Sequence, residues 1–206
     1  MNKIYISAIS LLISSVIHAQ DSSLFDKFSR DISSFCTELA YSYTTRISGI
    51  NGNGQGTLCF QDVMWRMEGN GVQMYCDSET TWVVDPSTKE VVIEPVTSDP
   101  SESLLTYPAL IVAMADSFFE VKESLCSDDR KAMIYALRPK SESSIDFLNL
   151  EILKADAKLR RAWIAFDDGT SIKIEVSSMK LTPKVSVKAF RPETIFDSEW
   201  IITDLR

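Results

Sequence analysis

The chain has 206 residues, of which 45% are hydrophobic and 24% charged, and its 21 basic against 29 acidic residues give a net charge of −8 at pH 7. An acidic chain without a basic cluster is a poor partner for nucleic acid or anionic lipid headgroups. His18 is the one histidine and lies in the first 20 residues, so the remainder of the chain has no Ser-His-Asp or Cys-His machinery and no His-containing metal site.

Residues 1–20, MNKIYISAISLLISSVIHAQ, have Lys3, an apolar run broken by serines, and small Ala19 before Gln20. This pattern is that of a secretory signal peptide rather than a membrane span. Its removal deletes Lys3 and His18 and no acid, leaving 20 basic against 29 acidic residues and a charge of −9. No cysteine follows the cleavage site, so no lipid anchor is expected there. Residues 21–206 are expected to form one domain, soluble outside the cytoplasm and acting as a monomer; residues 104–114 are apolar but too short for a span and contain Pro108.

After Ser22 and Ser23, Leu24, Phe28, Ile32 and Phe35 recur at helical spacing, which predicts an amphipathic helix of about four turns. Residues 38–48 alternate as a strand, with Leu39, Tyr41, Tyr43, Thr45 and Ile47 on one face, and a Gly/Asn-rich loop is expected over 49–54.

Residues 54–95 then read as five short strands separated by Gly69-Asn70-Gly71, Asp77-Ser78-Glu79 and Asp85-Pro86-Ser87. Spacing this tight permits only antiparallel neighbours, a meander. Leu58/Phe60, Trp65/Met67, Met74/Cys76 and Trp82/Val84 fall two apart, so each pair shares a face of its strand. Taken as cofacial, they make one apolar, aromatic and Met-rich surface.

The order G-Q-G-T-L-C-F at 54–60, Trp65-Arg66-Met67, and Cys76-Asp77-Ser78 leading to Thr81-Trp82-Val83-Val84-Asp85-Pro86 resembles the LolA family, periplasmic carriers of outer-membrane lipoproteins. The resemblance implies a location in the periplasm, lipoprotein acyl chains or free lipid as cargo, an inner-membrane releasing transporter and an outer-membrane acceptor as partners. The apolar segment around Pro108, Leu110, Ile111 and Ala113 resembles the family's lid over the cavity mouth. Many family members latch that lid with an arginine where this chain has Asp62.

Past residue 101 the pattern predicts a helix to 119, then strands at 118–125, 131–138, 145–153, 160–167, 171–177, 184–190 and 199–203. About a dozen strands with few helices must twist and curl. The expected fold is mainly β with helices (α+β): a strongly curled antiparallel sheet forming an incompletely closed barrel, covered by two or three helices. The resemblance implies the same.

Chemistry is harder to find. There is no G-x-S-x-G elbow, phosphate loop, dinucleotide glycine motif or Cys-x-x-Cys, and Asp128-Asp129 and Asp167-Asp168 read as turns. The chain is therefore expected not to be an enzyme and to need no cofactor or metal. Cys36, Cys59, Cys76 and Cys126 allow three pairings; Cys59 and Cys76 lie two strands apart, too far for a bridge, and at least two buried free thiols are expected.

Acyl chains cost about 0.8 kcal/mol per CH₂ to expose to water, so a soluble carrier needs an apolar cavity. Tyr41, Leu58, Phe60, Trp65, Met67, Met74 and Trp82 are its candidate lining. The two helices, through Leu24, Phe28, Ile32 and Pro108, Leu110, Ile111, Ala113, are the candidate movable cover. The alternative is a lipid carrier or an envelope-stress regulator of the same fold that senses lipids or lipoproteins.

Overall fold

The computed structural model describes residues 23–96 and 109–206; the expected signal sequence and Pro108 lie outside the described residues. A helix over residues 23–34, α1, leads into β1 (Cys36–Ile47), β2 (Ile50–Gln61), β3 (Met64–Gly69), β4 (Val72–Cys76), β5 (Thr80–Asp85) and β6 (Glu90–Pro95). Then come α2 (Leu110–Phe118), β7 (Phe119–Cys126), β8 (Ala132–Pro139), β9 (Ile145–Leu153), β10 (Leu159–Phe166), β11 (Ser171–Thr182), a 3₁₀ turn at Val187–Phe190, and β12 (Ile201–Asp204).

The twelve strands form one sheet in the order β12-β6-β5-β4-β3-β2-β1-β11-β10-β9-β8-β7. β2 to β6 are the expected antiparallel meander. β12 departs from the rest by pairing parallel with β6. α2 packs against both β2 and β7, which five strands separate, so the sheet curls around the helix. It stays open: β7 and β12 are its edges. The β7 edge carries Glu120, Lys122 and Glu123 and an irregularity between Val121 and Glu123, features that discourage edge-to-edge pairing.

Local chemistry sets the turns. Ser48 and Gly49 have φ of 49° and 82°, and Asn70 and Gly71 have 53° and 82°; two successive positive values make hairpin turns whose twist matches that of the strands. The first of these replaces the loop expected at 49–54. β2 begins at Ile50 and runs for 12 residues, with Gly56 opposite Tyr41 and Gly54 opposite Tyr43. A Cβ on Gly56 would stand 2.4 Å from the Glu68 carbonyl oxygen, and one on Gly54 2.6 Å from the Tyr43 ring. These glycines make room for a close neighbouring strand and for tyrosine rings laid across it.

The strand expected at 184–190 is also absent. Pro183 follows the end of β11 and cannot donate to a ladder. From there the chain crosses the outer face of the sheet as a strap to reach β12.

The main core fills the concave face. Tyr135, Leu150, Ala162 and Ile174 line up across β8 to β11, and all are buried with Phe28 and Ile32 of α1 and Ile111 and Val112 of α2. The Phe25 ring lies 5.2 Å from that of Tyr135, centroid to centroid. On the convex side of the same strands, Arg160 and Arg161 flank buried Glu151 at 3.3 Å, and Arg160 also meets Asp129 at 2.7 Å. Asp128-Asp129 and Asp167-Asp168 sit in turns.

Candidate functional site

Register decides which side chains meet. Leu58 pairs with Met67, Met67 with Met74, and Met74 with Val83. One step along, Phe60 pairs with Trp65 and Trp65 with Cys76. Alternation puts these two rows on one face, the concave one. Leu58, Phe60, Met67, Met74 and Tyr41 are buried there in one cluster with Phe28, Ile32, Leu110 and Ile111; Trp65, Leu24 and Ala113 pack against it part-buried.

Trp82 does not join them. It pairs with Tyr75 and packs on the convex face with Val84, Val91, Ile93, Phe196 and Trp200. Of the four residue pairs taken as cofacial, Trp82/Val84 belongs to the other side. The break at 77–79 sets a register that puts Val83, not Trp82, opposite Met74, and a one-residue offset exchanges the faces of a whole strand.

One polar group enters the apolar rows. The Tyr41 hydroxyl donates to Met67 Sδ at 3.0 Å. Burial, with a smaller contribution from Tyr43, pushes the Tyr41 phenol up to about 12, so it stays a neutral donor at any physiological pH. The cover lies over this face by apolar burial. α2 starts at Ala109 without a side-chain cap, and Ala109, Leu110, Ile111, Val112 and Ala115 are buried.

The position implied as a lid latch does something else. Asp62, at φ 51°, accepts from Lys184 Nζ at 2.6 Å. Beside it, Gln61 donates from Nε2 to the Val185 carbonyl and accepts from the Val185 N–H, both at 2.8 Å. The end of β2 thus fastens the strap on the convex side. Further along, Phe190 is fully buried over Cys36 and Cys59, and Arg191 Nε donates to Asp77 at 2.6 Å. Burial opposes ionisation of Asp77, but the N–H groups of Thr80 and Glu79 and the Arg191 guanidinium outweigh it and hold the carboxyl below its ordinary value.

On the convex face of β1 to β4 and β11 lies a half-open cleft of about 480 Å³, with Glu38, Cys59, Arg66, Gln73, Tyr75 and Lys180 in its walls; a second, of about 310 Å³, lies where Arg66, Gln73 and Tyr75 face Ala189, Arg191 and Glu193 of the strap. Neither strap nor cleft was legible in the sequence; the aromatics Phe190, Phe196 and Trp200 in a polar stretch were the available signal. No two of the four cysteine sulfurs are bonded in this structure; Cys36, Cys59 and Cys76 are buried and Cys126 is exposed. Among the described residues no cluster could hold a metal ion, and no helix is long and apolar enough to cross a membrane.

No protein-family model and no curated protein matches the chain. Among solved structures it is similar to an uncharacterized conserved protein from Thermus thermophilus, with TM-score 0.54 and 13% identity, covering 89% of this chain and 98% of that one. The likeness is one of fold. Lower scores relate the chain to a putative outer membrane lipoprotein-sorting protein domain from Vibrio parahaemolyticus (0.48, 10% identity, 82% and 94% covered) and to a LolA superfamily protein from Nitrosomonas europaea (0.49, 12% identity, 84% and 97% covered). The curled open sheet with helices on its concave side is thus a fold the chain shares with the Thermus thermophilus protein.

Proposed function

We propose that the chain is a periplasmic carrier that takes the acyl chains of lipoproteins onto the concave face of its sheet and ferries them between the inner and outer membranes. The observation behind this reading is the paired rows of Leu58, Met67, Met74, Val83 and Phe60, Trp65 under the apolar faces of two helices. Met and aromatic side chains adapt to tails of different length and curvature. Cargo would replace the helices against the sheet, so the apolar area each covers is exchanged rather than exposed to water. At about 0.8 kcal/mol per CH₂, covering a single tail offsets the lifting of a few leucine-sized side chains.

On this reading the protein binds and releases and does not catalyse. Export through the residue 1–20 signal, a releasing transporter at the inner membrane and an acceptor at the outer membrane belong to the same proposal.

Native mass spectrometry of the chain purified gently from a cell envelope tests it. A co-purifying acylated protein is the expected result; free lipid alone would transfer the reading to a lipid carrier or sensor, and an empty protein would sink it. Trp65→Glu, at a part-buried position, is expected to leave the fold intact by circular dichroism and to strip the load. Unchanged loading would remove the concave face from the reading.

A further inference from the structure

We propose that Cys36 and Cys59 form a disulfide that ties β1 to β2 beneath the strap. Their Sγ atoms are 3.1 Å apart. Glu38 is the direct partner of Cys59, so Cys36, two residues earlier on the same face, is its diagonal neighbour across the ladder. Reaching a bond of about 2.05 Å takes an approach of roughly 1 Å between the two sulfurs. The two sulfurs share a small buried cluster of their own with Phe190, apart from the main core. Cys76 and Cys126 have different surroundings: Cys76 lies opposite Trp65 on the concave side, and Cys126 is exposed beside Lys154.

The site also has an entrance. Cys36 is 1% exposed and Cys59 8%, and Cys59 alone of the two lines the convex cleft. Cys59 is therefore the sulfur that meets an incoming disulfide, RSSR. Its thiolate attacks one sulfur of RSSR, giving the mixed disulfide and releasing RS⁻. The Cys36 thiolate then attacks the Cys59 sulfur, closing the bond and expelling the second RS⁻. The two protons lost by the cysteines end on the two released thiols, and RSSR is the species reduced. Burial first, then the hydrogen bond with Cys36, pushes the Cys59 thiol up to about 12. Thiolate is scarce while the strap is docked, so the bond forms faster before Phe190 closes over it, and afterwards only slowly, through Cys59.

The pairing stands on geometry; only the oxidising compartment rests on the proposed export. The test uses the full chain, unfolded in reductant, then refolded in a mixture of reduced and oxidised glutathione, quenched with maleimide and mapped by mass spectrometry. The expected result is one linked peptide pair joining Cys36 to Cys59, lighter by two hydrogens, with Cys76 and Cys126 still labelled or carrying glutathione. Adding oxidised glutathione only after folding in reductant should slow linkage at least tenfold, and Cys36→Ser should trap glutathione on Cys59. Four free thiols in the refolded chain, or any other pairing, would overturn the proposal. Free Cys36 and Cys59 in chain taken from cells, alongside linkage in glutathione, would count against export and leave the pairing standing.

Discussion

Leu58, Met67, Met74 and Val83 on one side of the meander and Cys59, Arg66, Tyr75 and Trp82 on the other are neighbours in sequence, one residue apart on the same four strands. Their covers differ in kind. The helices over the concave face lie against it by apolar burial, which is non-directional and accepts any apolar surface of similar area. The strap over the convex face is held by directional bonds at fixed addresses: Gln61 to both backbone groups of Val185, Asp62 to Lys184, Asp77 to Arg191. A cover held by area alone can be exchanged for another apolar body; one held by a set of matched donors and acceptors has one correct seat.

The comparison breaks most visibly at Phe28, fully buried in α1. Phe28→Ala is expected to cost about 3–5 kcal/mol in urea denaturation if α1 is part of the folded core; a loss under about 1 kcal/mol would mean that the helix is already a loose cover. Gln61→Ala removes both bonds to the Val185 backbone on the other side and should cost about 1–3 kcal/mol locally. Amide exchange should quicken at Ile201–Asp204 and along β6 while the concave strands keep their protection; uniform loss would show that strap and sheet open as one unit.

Acid sharpens the same point. Because the folded Asp77 carboxyl titrates below its ordinary value of 3.8, its contribution is complete above that value. It is lost as pH falls below 3.8 through the depressed folded value. Fluorescence changes from Trp200, on the strap, are expected in that window in the parent chain and absent in Asp77→Asn. The smallest effect belongs to Tyr41→Phe, which removes the bond to Met67 and leaves no buried hydroxyl behind. Its expected cost is about 0.5–1 kcal/mol by thermal melting.

The meander was legible because its turns are local: Asn70-Gly71 selects a hairpin by backbone conformation alone. What sequence could not carry was anything set by partners. Trp82 and Val83 both suit a strand, and only the register across the break at 77–79 says which faces inward. The glycines of 49–54 read as a loop until Tyr43 is seen lying across Gly54. Residues 184–190 alternate like a strand, yet the partner Val185 finds is the side chain of Gln61, 124 positions earlier. Asp62, where the resemblance implied a latching arginine, makes sense only once the strap is in view.

The parallel ladder of β12 on β6 joins Ile201 to Glu90 and Asp204 to Ile93, and it sets a timetable for the newborn chain. Residues 90–95 present an uncovered rim of donors and acceptors until residues 201–204 reach them. On the proposed export, that meeting waits until both segments have crossed the membrane. β12 then closes a border opened far earlier in the chain, and the strap is drawn across the cysteines as it does so.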